Sequence, residues 1–139
     1  MDIQIDHYQL LQLADHEGNE RCGFIVGTKN AVTDIWAIPS LRPDPCSYRI
    51  GKPAWNGARE RAQRESVILH GSIHSHPNGP KGPSVCDLWL SARLHHGALR
   101  MVWHPRSGTL TTYGKQGIID QCQTKRPLWF RLIALVFWY

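Results

Sequence analysis

The stretch from Val67 to Asp87 constrains the fold of this chain more than any other. Val67 to His76 reads as a strand and gives way at once to Pro77 to Pro83, PNGPKGP, a turn-forming segment. From Ser84 to about His95 the apolar residues Val85, Leu88, Trp89 and Ala92 recur at i, i+3, i+4 and i+7, which predicts an amphipathic helix with that stripe turned inward. A strand, a short turn and a helix in this order allow the helix start to fold back towards the end of the strand.

The rest of the chain continues the alternation. An opening helix is expected around residues 6 to 14, and Cys22 to Val26 with Ala31 to Ile38 forms a hairpin turning at Thr28-Lys29-Asn30. Residues 39 to 53 hold four prolines without periodicity and predict a long loop, of the kind that often carries function. Ala54 to Ser66, rich in Arg, Glu, Gln and Ala, suits an exposed helix. Leu99 to Trp103 and Thr109 to Tyr113 predict two further strands around the turn His104 to Gly108. The class is therefore mixed α/β, and 139 residues suit a single domain, 1–139.

Leu128 to Tyr139, LWFRLIALVFWY, is the most apolar stretch, yet its twelve residues include Arg131 and fall short of the ~20 needed to cross a bilayer. It reads as a closing core element, with no membrane partner. The N-terminus carries acidic residues and lacks the basic and apolar regions of a signal peptide, which points to a cytoplasmic, reducing setting. Cys22, Cys46, Cys86 and Cys122 are too far apart to form a C-x-x-C pair, so free thiols are expected. Cys22 reads as a small buried residue, and Cys86 as one that packs inward on its helix. The net charge of +5 permits an acidic partner without demanding one. Arg59, Arg61 and Arg64 suit a solvated helix face as well as a nucleic-acid surface, so no nucleic acid is expected.

Chemistry concentrates where the strand, turn and helix meet. On a strand His74 and His76 point to one face with Cα atoms ~6.6 Å apart, close enough for both rings to reach one metal ion. Asp87 can fold back towards them. Ser84 and Asp87 at i, i+3 also form the pattern of an N-terminal capping box, and the two roles are compatible. Two imidazoles and one carboxylate leave the fourth position of a tetrahedral zinc open, the arrangement of a catalytic site. Glu20, at the head of E-R-C-G-F-I-V-G, would begin a strand beside the histidine strand, although it is one of eleven acidic residues.

Other catalytic patterns are absent. His16-Glu17 is not followed by the second histidine of H-E-x-x-H, and there is neither the H-x-E with P-C-x-x-C of a zinc deaminase nor a G-x-S-x-G elbow or P-loop. His70 shares the histidine face but lies too far along the strand to ligate the same ion, and His95 and His96 suit a helix end.

Glu20 with Cys22-Gly23, then His74-Ser75-His76-Pro77, six residues, Ser84, two residues and Asp87 together resemble the motif of the JAMM (MPN+) zinc metalloproteases. The resemblance covers about residues 6 to 113. It implies an MPN (JAB) fold, a curved mixed β-sheet flanked by helices, and one Zn²⁺ per chain held by His74, His76 and Asp87. Glu20 would act as the base that deprotonates the attacking water and then protonates the leaving amine, and Ser84 would hydrogen-bond the water or the developing oxyanion.

The same resemblance implies a substrate. JAMM enzymes cut peptide or isopeptide bonds at the C-terminus of ubiquitin-like modifiers, and compact bacterial members accompany E1-like and E2-like proteins in antiphage conjugation operons. The modifier or its conjugate is then the expected partner, with Arg42, Tyr48 and Arg49 of the 39–53 loop as candidate contacts to its tail. Other readings are a sulfur-carrier precursor or phage-tail-assembly peptidase, and a metal-free MPN scaffold. Scaffolds of that kind have usually lost motif residues, and here Glu20, His74, His76, Ser84 and Asp87 are all present.

Overall fold

The computed structural model describes residues 1–41, 44, 48–93 and 98–124. The apolar segment 128–139, Cys46, His95, His96 and Arg42 lie outside the described residues. Seven strands form one mixed sheet: β1 (Asp2–Ile3), β2 (Cys22–Thr28), β3 (Ala31–Ile38), β4 (Ile68–Ser75), β5 (Leu99–His104), β6 (Thr109–Gly114) and β7 (Gly117–Gln123). Their order is β1-β3-β2-β4-β5-β6-β7, with β1/β3 and β4/β5 parallel and the other pairs antiparallel. Among the described residues three α-helices accompany it: α1 (His7–Leu10), α2 (Lys52–Glu65) and α3 (Val85–Ser91).

Local chemistry sets the helix ends. Asp6 accepts the Gln9 backbone N–H while the Gln9 side chain accepts that of Asp6, a reciprocal cap that starts α1. The expected opening helix continues as a 3-10 turn over Leu11–Leu13. Pro53 sits in the first turn of α2, where its missing N–H leaves no bond unmade, and Ser66 ends the helix in the left-handed region at φ 54°.

Alternation divides the core between the two faces of the sheet. Ile25, Ile73, Met101 and Trp103 pack with Leu10 and Leu13 of the opening turns. On the other face Phe24, Val26 and Trp36 pack against Ala58 and Ala62 of α2. A Cβ at Gly71 would collide with the Leu99 carbonyl oxygen, so glycine lets the parallel strands β4 and β5 close up beside the site.

Two expectations about α3 are corrected. Its apolar stripe does not face the core: Val85 is 87% and Trp89 54% exposed, and the buried residues of the helix are Asp87 and Ser91. Polar anchoring outweighs the stripe over so short a helix. The Asp87 carboxylate accepts the Ser84 N–H at 2.8 Å, and the Ser91 hydroxyl lies 3.1 Å from the Gly114 carbonyl it donates to. Cys86 is consequently exposed rather than packed inward. Among the described residues β1 and β7 are the outermost strands, and neither is among the expected ones; β7 presents an almost wholly exposed run that lacks the alternation of a half-buried strand.

Candidate metal centre

The pairing of β2 with β4 builds the site. Cys22 lies opposite His74 in this antiparallel ladder, so two steps outward along each chain bring Glu20 opposite His76. The segments remain clamped beyond the strands: the Ser75 N–H donates to the Arg21 carbonyl and the Arg21 N–H to the Ser75 hydroxyl, both at 2.9 Å. The result is a Glu20 Oε1 to His76 Nε2 distance of 3.6 Å.

The strand β4 ends at Ser75, one residue before His76, yet the two rings converge. His74 Nε2 and His76 Nε2 are 3.0 Å apart, and Asp87 Oδ2 lies 3.3 Å from the first and 3.2 Å from the second. Zinc with four ligands at about 2.0–2.1 Å spaces its ligand atoms about 3.3–3.4 Å apart, so this nearly equilateral triangle fits one face of its tetrahedron. His76 Nδ1 stands 3.0 Å from the Pro80 carbonyl, which can only accept; the ring donates there, and in its neutral form the lone pair is on Nε2. Glu20, His74 and His76 also form a cluster whose ligand atoms all fall within 4.8 Å of one another.

Electrostatics favour the ligating form at His74 and Asp87. Burial lowers the pKa of His74, outweighing the pull of Asp87, and keeps its imidazole neutral. Burial pushes the Asp87 carboxyl up, but hydrogen bonds from His74, His76 and Ser84 prevail and hold it well below the usual carboxylate range. For His76, burial is outweighed by Asp87, Pro80 and Glu20, and the pKa is raised. Burial raises Glu20 to about 7 against the opposing influence of His76. A carboxylate poised near neutrality is suited to general base and acid work.

Ser84 caps α3 in both senses: its hydroxyl accepts the Asp87 N–H at 3.0 Å and its own N–H goes to the Asp87 carboxylate. Asp87 Oδ2 thus serves the helix start and the histidine pair together. Tyr48 lies with its ring stacked on His74, at 4.3 Å between centroids and 20° between planes. Arg49 is exposed, and its carbonyl and N–H close the loop base on Leu41 and Ser40. His70 is turned to the Thr28 carbonyl at 2.7 Å, away from the cluster. Burial raises the Cys22 thiol to about 11, an inert group.

Three contributors were given no role by the sequence reading, although Ser75 stands in the quoted motif. The Pro80 carbonyl orients His76, the Ser75 hydroxyl ties down the strand leading from Glu20, and the Asp44 carbonyl accepts the Glu20 N–H at 2.8 Å. Two of these are backbone groups that no residue type announces. Ser75, between the histidines and on the opposite face of the strand, is the one with a readable signal.

Residues 8–112 match the family described as prokaryotic homologs of the JAB domain. A desampylase of Pyrococcus furiosus is 30% identical over 84 residues, 59% of this chain, and the match spans only 60% of that relative's length. Among solved structures, a protein of Desulfitobacterium hafniense is similar with a TM-score of 0.69 at 18% identity, over 88% of this chain and 91% of that one. A JAB1/MPN domain protein of Archaeoglobus fulgidus follows the same fold with a TM-score of 0.55 at 19% identity, over 90% of this chain and 100% of its own. A Salinibacter ruber protein gives 0.59 at 21% identity, over 92% and 93% of the two chains.

Proposed function

This chain belongs to the family of prokaryotic homologs of the JAB domain, and from that footing we propose that it is a zinc-dependent isopeptidase or peptidase cutting after the C-terminal tail of a ubiquitin-like modifier. The triangle of His74 Nε2, His76 Nε2 and Asp87 Oδ2, 3.0–3.3 Å on each side with Glu20 beside it, carries the reading. A chain that only held a partner would gain nothing from pressing two imidazoles and an ionised carboxylate together. Resemblance to the JAMM enzymes and similarity to a protein named desampylase support the substrate class.

His74, His76 and Asp87 would hold one Zn²⁺. When bound, zinc supplies a Lewis acid that polarises the scissile carbonyl and acidifies an attacking water. Glu20 would take a proton from the attacking water at its carboxylate and return it to the leaving amine. The Ser84 hydroxyl already accepts the Asp87 N–H, which leaves its own proton to donate towards the developing oxyanion. Arg42 and Arg49 would contact the modifier's tail, and Arg49 is exposed. The free Cys22, Cys86 and Cys122 suit a reducing cytoplasm, where E1-like and E2-like proteins, including those of antiphage systems, would supply the conjugate.

The test is mass spectrometry of a ubiquitin-like protein encoded beside this gene, fused through its tail to a reporter. The expected result is a single cut after the tail, abolished by a chelator and by Glu20→Gln. An uncut fusion with zinc demonstrably bound sinks the peptidase reading. Protein purified without chelator that carries no metal favours a scaffold instead.

A further inference from the structure

The two histidines of the cluster are held by different means. His76 is fixed by its Nδ1 hydrogen bond to Pro80, whereas His74 Nδ1 is buried and has no hydrogen-bond partner among the described residues. A metal-ligating imidazole ordinarily gives its second nitrogen to a partner that sets the ring's rotation, and loss of that partner weakens metal affinity about 10–100-fold. His74 needs some other restraint.

We propose that Tyr48 is a positioning residue for His74, holding its imidazole in a ligating orientation by ring stacking; the inference rests on the metal reading of the site. The two rings lie 4.3 Å apart and 20° from parallel, so rotation of the imidazole about its Cβ–Cγ bond would drive its edge into the tyrosine face. The tyrosine also interacts electrostatically with Ser72, which sits two residues before His74 on the same face of β4. Ring and hydroxyl thus span one pleat repeat of the strand that carries the ligand. Asp44, four residues earlier in the same loop, accepts the Glu20 N–H, so this segment braces the base as well as the ligand. One face of the Tyr48 ring is committed to His74, which sets its role apart from that of a simple substrate contact.

Zinc affinity, measured by competition with a chromophoric chelator, and the visible d–d bands of the Co(II)-loaded protein test the proposal on wild type, Tyr48→Phe and Tyr48→Leu. Phenylalanine keeps the stacking face and should bind within about twofold of wild type with the same Co(II) spectrum. Leucine keeps apolar bulk without a ring and should lose about tenfold in affinity, with altered bands. Far-UV circular dichroism in chelator establishes that both variants fold. Wild-type affinity and an unchanged spectrum in the leucine variant overturn the role of Tyr48 while leaving the metal site standing. A wild-type chain that takes up no metal overturns both. Should the leucine variant not fold, NMR of the wild type decides: ring protons of His74 shifted upfield by the tyrosine face support stacking, and unshifted ones refute it.

Discussion

Glu20 Oε1 stands 3.6 Å from His76 Nε2 because the β2/β4 ladder that sets Cys22 opposite His74 continues two residues further along both chains. The proposed base and one proposed ligand are therefore spaced by sheet register. Glu20→Gln preserves shape and removes only the ability to carry a proton. Cleavage of a modifier fusion should fall by about 10²–10⁴-fold while zinc content per chain, read by elemental analysis, is retained.

Glu20 also makes the metal-free protein pH-sensitive. Its folded pKa of about 7 lies above its ordinary value of 4.5, so the folded chain binds the proton more tightly than the unfolded one. That contribution is fully present below pH 4.5 and is lost as pH rises through 7. In chelator at pH 8, Glu20→Gln should be more stable than wild type by about 1–3 kcal/mol, with the advantage shrinking towards pH 5. Urea melts at the two pH values check it; an advantage that does not change with pH removes the buried-charge explanation.

Ser84 and Asp87 share a cap, but only Asp87 faces both histidines. Ser84→Ala should cost about 1 kcal/mol in a chemical melt and leave metal affinity within a few-fold. Asp87→Ala should lower stability too, and should abolish stoichiometric zinc binding by equilibrium dialysis, as should His76→Ala.

Zinc that binds only the folded chain must raise its melting temperature. At a free concentration 100 times the dissociation constant the gain is about 2.7 kcal/mol. The shift should vanish in His76→Ala and persist in Glu20→Gln, a comparison that differential scanning calorimetry resolves.

Gly71→Ala tests the packing of β4 on β5. The new methyl group meets the Leu99 carbonyl oxygen, so the parallel strands must part or the backbone must shift. Destabilisation of about 1–3 kcal/mol is expected, with faster amide exchange at His74 and Ser75 than at the β2/β3 hairpin.

The parts of this molecule written in side-chain periodicity were legible from sequence. The hairpin β2/β3, the helix after the 39–53 loop and the strand before PNGPKGP fall within a few residues of their expected bounds. Spacing, together with the resemblance to the JAMM motif, also pointed to a meeting of His74, His76 and Asp87, because strand pleat and helix start fix those side chains relative to the backbone. What stayed hidden depends on contacts between distant segments: the stacking of Tyr48 on His74, and the bonds from the Pro80 and Asp44 carbonyls. The stripe on α3 misled because periodicity reports which residues share a side and not which side is turned inward. There Asp87 and Ser91 decide the matter through hydrogen bonds.

That inverted helix ties the proposed chemistry to architecture. With Val85 and Trp89 in solvent, α3 is moored through the same carboxylate that the proposed chemistry needs. Replacing the acid at position 87 would therefore loosen the helix start in the same stroke as it emptied that corner of the cluster, and no single substitution there separates the two losses.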